Sequence, residues 1–292
     1  MTNKNIIRVH VTCGWGEDSN SLLRQYAKQS PDNSCRWGNI EFVNNQARSD
    51  VILALDGWAS ITNPNTPIIF FGREPRHIGM KVPRVPGCTV YHHELGNSWC
   101  ASTWWVGLDY DTLVKMSSDD VKKSKNLSII DSGKTATLGH RNRVMFINQL
   151  VAKMPESIDI FGKITSSRSE TCFKTTLPPK QKEAALLPYR YSLAIENGST
   201  DYYFTEKLAD PLLCWTMPIY WGCKKIESFF PPDSYIWVDI DKETEIDRIS
   251  QIIKSDYREQ NLDAIAEARN LILNKYNLFP TAEMAIREGK IL

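Results

Sequence analysis

Short apolar segments rich in β-branched residues alternate with helix-like segments along most of this chain. The first predicted strand runs from Ile6 to Val11, ends in the glycine-rich turn Cys13–Gly16, and precedes a predicted helix over Ser19–Gln29. Strands separated by helices form parallel sheets with crossover connections. The sequence therefore predicts the α/β fold class, with functional residues beyond the carboxyl ends of the strands. Three further strands are predicted in this part of the chain: Ile40–Val43, Val51–Leu55 and Thr66–Phe71.

A second series of strands and helices follows the polar segment Ser117–Lys125, which is typical of a linker. The chain has 292 residues, which is long for one compact core and natural for two domains. We expect an N-terminal domain over 1–124, a second domain over 125–270, and a C-terminal helix and tail over 271–292 that packs back toward the first domain. The second domain has five predicted strands: Asn126–Ile130, Ile158–Phe161, Tyr191–Ile195, Met217–Trp221 and Ser234–Val238.

Charge and composition exclude several classes of partner. The 35 basic and 34 acidic residues give a net charge of +1, so no global field attracts nucleic acid or anionic lipid. No run of about 18 apolar residues predicts a membrane span, and the N-terminus lacks the apolar core of a signal peptide. Seven scattered cysteines without a CxxC pair argue against a disulfide framework and a structural zinc site. We therefore expect a soluble cytoplasmic protein without a nucleic-acid partner.

The residues around Thr205 predict a site for a phosphate-bearing ligand. An apolar strand leads into Glu196 and Asn197, and a helix begins near Thr205, whose hydroxyl can cap free backbone N–H groups. A helix N-terminus favours negative charge, Lys207 adds a cation for a phosphate, and Glu206 can accept hydrogen bonds from ribose hydroxyls. The alternative is structural: Glu206 then only favours the helix dipole and Lys207 is a solvated side chain.

The order of these pieces resembles the donor-binding signature of the α1,3/4-fucosyltransferases, glycosyltransferase family 10. That signature joins a tyrosine-led strand and Phe-Glu-Asn to Tyr-x-Thr-Glu-Lys, a helix, a Pro-Ile/Val-x-x-Gly strand and a Phe-x-Pro segment. Ile195 departs from it, because the family usually has Phe there. The resemblance implies donor-binding roles for Glu196, Asn197, Tyr203, Thr205, Glu206 and Lys207. The matching segments here are Ala194-Ile195-Glu196-Asn197, Tyr203–Lys207, Pro218–Gly222 and Phe230–Ile236.

The resemblance extends upstream to a predicted helix and strand. Arg143-Val-Met-Phe146 and Ile158–Gly162 are similar to the family's Arg…Leu helix and its Asp-x-Tyr/Phe-Gly strand. The family's arginine binds the donor pyrophosphate, which implies this role for Arg143, and bidentate guanidinium contacts suit two adjoining phosphates. Arg141 competes for the same role. A third possibility is that both arginines cover a solvated helix face.

Glu74 is the candidate general base, since it follows an apolar strand in the first domain. Pro64–Glu74 looks like the strand that leads to the catalytic glutamate of bacterial family members, a weaker match than that of the second domain. The family inverts configuration by direct attack of an acceptor hydroxyl, a step in which one carboxylate takes the proton. The alternative for Glu74 is a salt bridge to Arg73 or Arg76. Glu94, beside His92 and His93, is the reserve candidate.

The resemblance implies a GT-B architecture, in which two Rossmann-like domains face each other across a cleft. It also implies GDP-β-L-fucose as donor, a glycan acceptor, an α-linked product, and no required cofactor or metal, as in the short bacterial or viral members. Two alternatives stay open: a different nucleotide-sugar donor, or a non-catalytic nucleotide- or carbohydrate-binding protein. The motifs Asp109-Tyr-Asp111 and Asp239-Ile-Asp241 are too short to predict a metal site.

Tryptophans of the loop-rich region 76–105 are candidates for stacking on an acceptor sugar. Trp99, Trp104 and Trp105 lie there, and an indole can cover the apolar C–H face of a sugar ring. Packing in a core is the alternative for each of them.

Overall fold

The structure is a computed structural model that describes residues 6–58, 61–63, 65–74, 87–95, 103–164 and 170–289. These residues form two six-stranded sheets in which nearly all neighbouring strands are parallel, so the α/β prediction is confirmed. Within the described residues, no helix is long and apolar enough to cross a membrane.

The first sheet has the strand order β2-β3-β1-β4-β5-β6, and only β2 is antiparallel to its neighbour. Its central strand β4 is buried at every position, as expected for a continuous apolar strand that is covered on both faces. β1, β4 and β5 end side by side, because Cys13 pairs with Leu55 and Leu55 with Phe71. The strands are β1 (Ile7–Cys13), β2 (Arg36–Trp37), β3 (Ile40–Val43), β4 (Val51–Leu55), β5 (Ile68–Gly72) and β6 (Cys88–His92).

The second sheet has the order β12-β11-β10-β7-β8-β9, and β10 lies near its centre between β11 and β7. Ile195, the last residue of β10, pairs with Trp221, so the segment that begins at Glu196 leaves the carboxyl edge of the sheet. The strands are β7 (Lys125–Asp131), β8 (Ile158–Gly162), β9 (Phe173–Thr175), β10 (Tyr189–Ile195), β11 (Met217–Trp221) and β12 (Ile236–Trp237).

Most of the helices begin or end at residues that satisfy free backbone groups. Asp18 caps α1, and Thr137 caps α3 in a capping box with His140. The helices are α1 (Ser19–Ala27), α2 (Tyr110–Lys115), α3 (Leu138–Lys153), α4 (Glu206–Leu213), α5 (Thr244–Ile252), α6 (Tyr257–Gln260), α7 (Leu262–Asn274) and α8 (Leu278–Glu288).

Helix α8 packs into the core of the first sheet, although it follows the second sheet in the chain. Phe279 stacks on Phe42 with ring centroids 4.2 Å apart, and the Tyr91 hydroxyl donates to the Ala285 carbonyl at 3.2 Å. The first core therefore contains residues from both ends of the described chain. Trp104 and Leu113 instead pack into the second core. The boundary near residue 124 stays a prediction.

Three short strands fall outside the sequence predictions. β2 has two residues and β9 three, and both form by pairing at the edge of a sheet, which periodicity cannot show. β6 lies within the region 76–105 that the sequence analysis predicts as loops. Its first three residues are only partly buried, so its sequence lacks the continuous apolar pattern of a central strand.

Candidate active site

A cavity of about 490 Å³ lies between the carboxyl edges of the two sheets. The first domain contributes Glu74, and Trp105 forms another part of the wall. The second domain contributes residues of β7, β8 and β10 and of the segments that follow these strands, together with the first turns of α4. Carboxyl edges are where parallel α/β sheets bind ligands. The sequence-predicted residues on the wall are Glu74, Arg143, Asn197, Tyr203, Thr205, Glu206 and Lys207.

Glu196 lies behind this wall and holds the start of α4. Its carboxylate is fully buried and accepts hydrogen bonds from the Thr205 backbone N–H at 2.7 Å and from the Thr205 hydroxyl at 2.8 Å. The Thr205 hydroxyl in turn accepts from the Lys207 backbone N–H at 3.3 Å. Burial raises the pKa of Glu196, against the opposing effect of the Lys207 ammonium. Glu196 therefore positions the helix N-terminus rather than lining the cavity.

A network of opposite charges surrounds the first turns of α4. Lys207 Nζ lies 3.4 Å from Glu206 Oε1, and Lys182 Nζ lies 3.6 Å from the same oxygen. Burial alone would raise the pKa of Glu206, but the ammonium groups of Lys207 and Lys182 lower it to about 2. Glu206 is therefore ionised at neutral pH and can accept hydrogen bonds from a ligand. Lys207 is paired with carboxylates, not simply solvated.

Asp210 and Lys182 are site residues that the sequence analysis missed. Lys182 Nζ lies 2.8 Å from Asp210 Oδ2, and the Trp105 backbone N–H donates to Asp210 Oδ1 at 2.8 Å. Burial raises the pKa of Asp210 to about 6, although Lys182 opposes the shift. Asp210 follows Glu206 by four residues, on the same face of α4, and this spacing is a signal that could have identified it. Lys182 lies in a loop without a comparable signal.

Arg143 reaches the cavity and Arg141 does not. The Arg143 side chain is 7% exposed, lies 3.7 Å from Asp131 Oδ1, and donates to Ser132 Oγ at 3.0 Å. Its Nε has no hydrogen-bond partner among the described residues. Arg141 is exposed and donates to the Ala136 carbonyl of the loop before α3 at 3.2 Å. Two positions on a helix differ by about 200° in direction, which separates the two guanidinium groups.

Glu74 faces the cavity from the end of the first sheet. Arg73 does not pair with it, because the Arg73 guanidinium lies 2.9 Å from Asp56 Oδ2 and its backbone N–H donates to Asp56 Oδ1 at 2.6 Å. Arg76, the other proposed salt-bridge partner, lies outside the described residues. Burial raises the pKa of Glu74, Lys207 opposes this shift, and the neighbouring charges of Asp56 and Glu206 add to it.

Asn197 and Tyr203 complete the wall beside α4. A side chain at Gly139 would put its Cβ 2.4 Å from the Asn197 carbonyl oxygen, so only glycine allows this close approach. Tyr203 is buried, and its ring centroid lies 5.1 Å from that of His93. These contacts fix the loop that connects Glu196 to the helix.

The remaining sequence candidates divide into three groups. Trp104 is 1% exposed within the second core, so the acceptor-stacking hypothesis is wrong for it, because no face of its ring is accessible. Trp105 is 41% exposed, with Lys182 Nζ 5.2 Å from its ring centroid. Trp99 and the side chain of Glu94 lie outside the described part of the chain. Over the described residues, no three His, Cys, Asp or Glu side chains form a group that could hold a metal.

Two mostly parallel sheets with a cavity at their facing carboxyl edges define the GT-B glycosyltransferase fold. A crystal structure of an α1,3-fucosyltransferase with GDP-fucose has this fold, with a TM-score of 0.53, 18% identity, and coverage of 92% of this chain and 84% of that one. The crystal structure of a glycosyltransferase from Rickettsia africae ESF-5 aligns with a TM-score of 0.54 and 9% identity, over 98% of this chain and 98% of that one.

Residues 121–259 match the pattern of the glycosyltransferase family 10 (fucosyltransferase) C-terminal region, so this part of the chain is similar to that family. The α-(1,4)-fucosyltransferase of Arabidopsis thaliana is 42% identical over 52 residues, 18% of this chain and 13% of that protein. The 4-galactosyl-N-acetylglucosaminide 3-α-L-fucosyltransferase of Gorilla gorilla gorilla is 32% identical over 100 residues, 33% of this chain and 25% of that protein. The matched segments thus span an eighth to a quarter of these relatives, and the family resemblance is confirmed.

Thr205→Val should lower the free energy of unfolding of the ligand-free protein by about 1–2 kcal/mol, because valine neither caps α4 nor donates to Glu196. Urea denaturation measures the change. Thr200→Val is the matched control, since the Thr200 hydroxyl has no hydrogen-bond partner among the described residues. It should change the stability by less than about 0.5 kcal/mol. Equal changes in both variants would contradict the capping role.

Proposed function

We propose that this protein transfers L-fucose from GDP-β-L-fucose to a hydroxyl group of a glycan, with inversion at the anomeric carbon. One observation carries the proposal: a carboxylate of the first domain, Glu74, and two cations of the second, Arg143 and Lys207, line the same cavity. The names of the relatives, α-(1,4)- and α-(1,3)-fucosyltransferase, support fucose as the sugar.

The second domain supplies the groups that a nucleoside diphosphate requires. Arg143 presents a buried guanidinium whose Nε is still available, and Lys207 presents an ammonium at the N-terminus of α4. Together they suit two adjoining phosphates without a metal ion. Glu206 is ionised and suits the ribose hydroxyls, while Asn197 and Tyr203 border the same space. In this proposal Glu196 acts through Thr205 and the start of α4, and through Lys207, whose Nζ lies 3.4 Å from Glu196 Oε2.

The first domain supplies the base. The acceptor oxygen attacks the anomeric carbon, the bond from that carbon to the β-phosphate oxygen breaks, and GDP leaves with the electron pair. The hydroxyl proton passes to the Glu74 carboxylate. Its raised pKa improves Glu74 as a base, because a base is most effective when its pKa lies near the working pH. Arg143 and Lys207 stabilise the negative charge that develops on the departing diphosphate.

Mass spectrometry of the products tests the function directly. The protein is incubated with GDP-fucose, GDP-mannose, UDP-galactose or UDP-glucose and with a 4-galactosyl-N-acetylglucosaminide, the acceptor in the name of one relative. We expect a fucosylated product from GDP-fucose alone. A product from another donor would show that the same fold uses a different sugar. Donor binding without any nucleotide release would support a non-catalytic binding protein.

The donor nucleotide should bind without a metal ion and with a preference for guanine. Calorimetry in EDTA should still show GDP binding, because the proposed phosphate contacts come from Arg143 and Lys207. The Kd for GDP should be lower than that for UDP, since a similar structure is an α1,3-fucosyltransferase with GDP-fucose. The same titration with added Mg²⁺ or Mn²⁺ is the control. Equal affinities for GDP and UDP, or loss of binding on chelation, would contradict the proposed donor site.

A further inference from the structure

Trp15 lies at the same edge of the first sheet as Glu74 and has no role in the proposed donor site. It follows β1 by two residues, and its side chain is 44% exposed. Glu74 follows β5, and β4 separates β1 from β5 in the sheet. Two strand spacings therefore separate the ends of β1 and β5, about 10 Å. That distance exceeds one pyranose ring and is close to the length of a disaccharide.

The turn at Gly14 and the side chain of Arg73 fix the position of the Trp15 indole. The Gly14 backbone N–H donates to the Leu55 carbonyl at 3.1 Å. A Cβ at Gly14 would lie 2.7 Å from the Asp56 carbonyl oxygen, so only glycine fits at this turn. The Arg73 guanidinium carbon lies 4.8 Å from the Trp15 ring centroid, and Asp56 holds Arg73 in an ion pair. Trp15 is thus an exposed aromatic surface with a rigid support.

We propose that Trp15 is the platform for the second sugar ring of an oligosaccharide acceptor, whose first ring presents its hydroxyl to Glu74. This inference rests on the proposed function. The apolar C–H face of a pyranose packs on an indole, and the supported, exposed ring of Trp15 offers such a surface. With about 10 Å between the ends of the two strands, a disaccharide is long enough to place one ring on Trp15 and the other ring at Glu74. Trp15 therefore selects acceptors of at least two rings over single sugars.

Steady-state kinetics with two acceptors tests the platform. Trp15→Ala should raise the KM for the 4-galactosyl-N-acetylglucosaminide on the order of tenfold, and Trp15→Phe should restore most of the affinity. Neither variant should change the KM for the single-ring N-acetylglucosaminide, the Kd for GDP, or the slow hydrolysis of GDP-fucose by water. Trp37→Ala is the matched control. Trp37 is partly buried. It pairs with Ile40, the first residue of β3, and therefore lies at the amino edge of the sheet, opposite to Trp15.

A binding measurement separates this inference from the proposed function. Saturation-transfer NMR with GDP and the same disaccharide needs no turnover. In the wild-type protein the protons of the ring on Trp15 should receive saturation, and Trp15→Ala should abolish this transfer. That result supports the platform even if no fucose is transferred. A disaccharide KM within twofold of wild type in Trp15→Ala, or an equal rise for both acceptors, overturns it. Unchanged ring contacts in the NMR experiment also overturn it.

Discussion

Glu74→Gln should lower kcat by at least about 100-fold, the lower end of what general-base catalysis contributes. Glutamine keeps the shape of the side chain but cannot take the acceptor proton. The Kd for GDP should hold or fall slightly, since Lys207 loses a neighbouring negative charge. Single-turnover rates and GDP titration measure both quantities. Glu17→Gln is the control, because Glu17 is a partly exposed carboxylate of the same domain that does not line the cavity.

The pH dependence of the rate gives a second test of Glu74. The carboxylate must be ionised to accept a proton, so activity should rise as the pH increases through its pKa. Burial raises that pKa, and the acidic limb should therefore lie above the ordinary range of a glutamate. Glu74→Gln should remove this limb. A variant that keeps most of its activity would point to Glu94 instead, and a loss of GDP binding would place Glu74 in the nucleotide site.

Arg143→Ala should raise the Kd for GDP by roughly 10- to 150-fold, the equivalent of about 1.5–3 kcal/mol for hydrogen bonds to a charged group. The guanidinium is buried at the cavity wall and lies where the diphosphate is expected. Isothermal titration measures the affinity, and thermal unfolding without ligand checks that the fold is retained. The melting temperature should change little, because Asp131 keeps a hydrogen bond from the Gly133 backbone N–H at 3.0 Å.

Arg141→Ala is the matched control for Arg143, on the same helix and only two residues away. Its exposed guanidinium donates to carbonyl groups of the loop before α3 and is not part of the cavity wall. GDP affinity should stay within about twofold of wild type, because a change at an exposed residue away from such features has a small effect. If this variant loses affinity while Arg143→Ala does not, the phosphates bind at the mouth of the cavity and not at its wall.

Local signals in the sequence were sufficient to predict where the residues at the start of α4 lie. Thr205 is an N-cap residue, and Glu206 and Lys207 belong to the first turn, so their positions follow from the helix start alone. The strand before Glu196 has the apolar pattern of a central strand, and β10 is central in the structure. The two-sheet α/β fold was predictable for the same reason, since each strand except β2, β6 and β9 has its own pattern.

The features of the site that could not be predicted depend on contacts between residues distant in sequence. Lys182 pairs with Asp210 across 28 positions, and the Trp105 N–H reaches Asp210 across 105. The composition of the loop around Trp104 gives no indication that this ring is buried while Trp105 is exposed. Periodicity reports which face of an element is apolar, but not which partner covers it. Arg73 is a further example. Its ion pair with Asp56, and not with Glu74, depends on the pairing of β4 with β5.

Helix α8 also determines the order in which the protein can fold during synthesis. The strands of the first sheet are translated early, whereas residues 278–288 emerge from the ribosome only after the entire second sheet. Until then the surface that Phe279 covers, around Phe42 and Tyr91, lacks part of its core. N-terminal domains generally fold first during translation. Here the nascent N-terminal domain keeps an incomplete core until the second sheet and α8 have been synthesised.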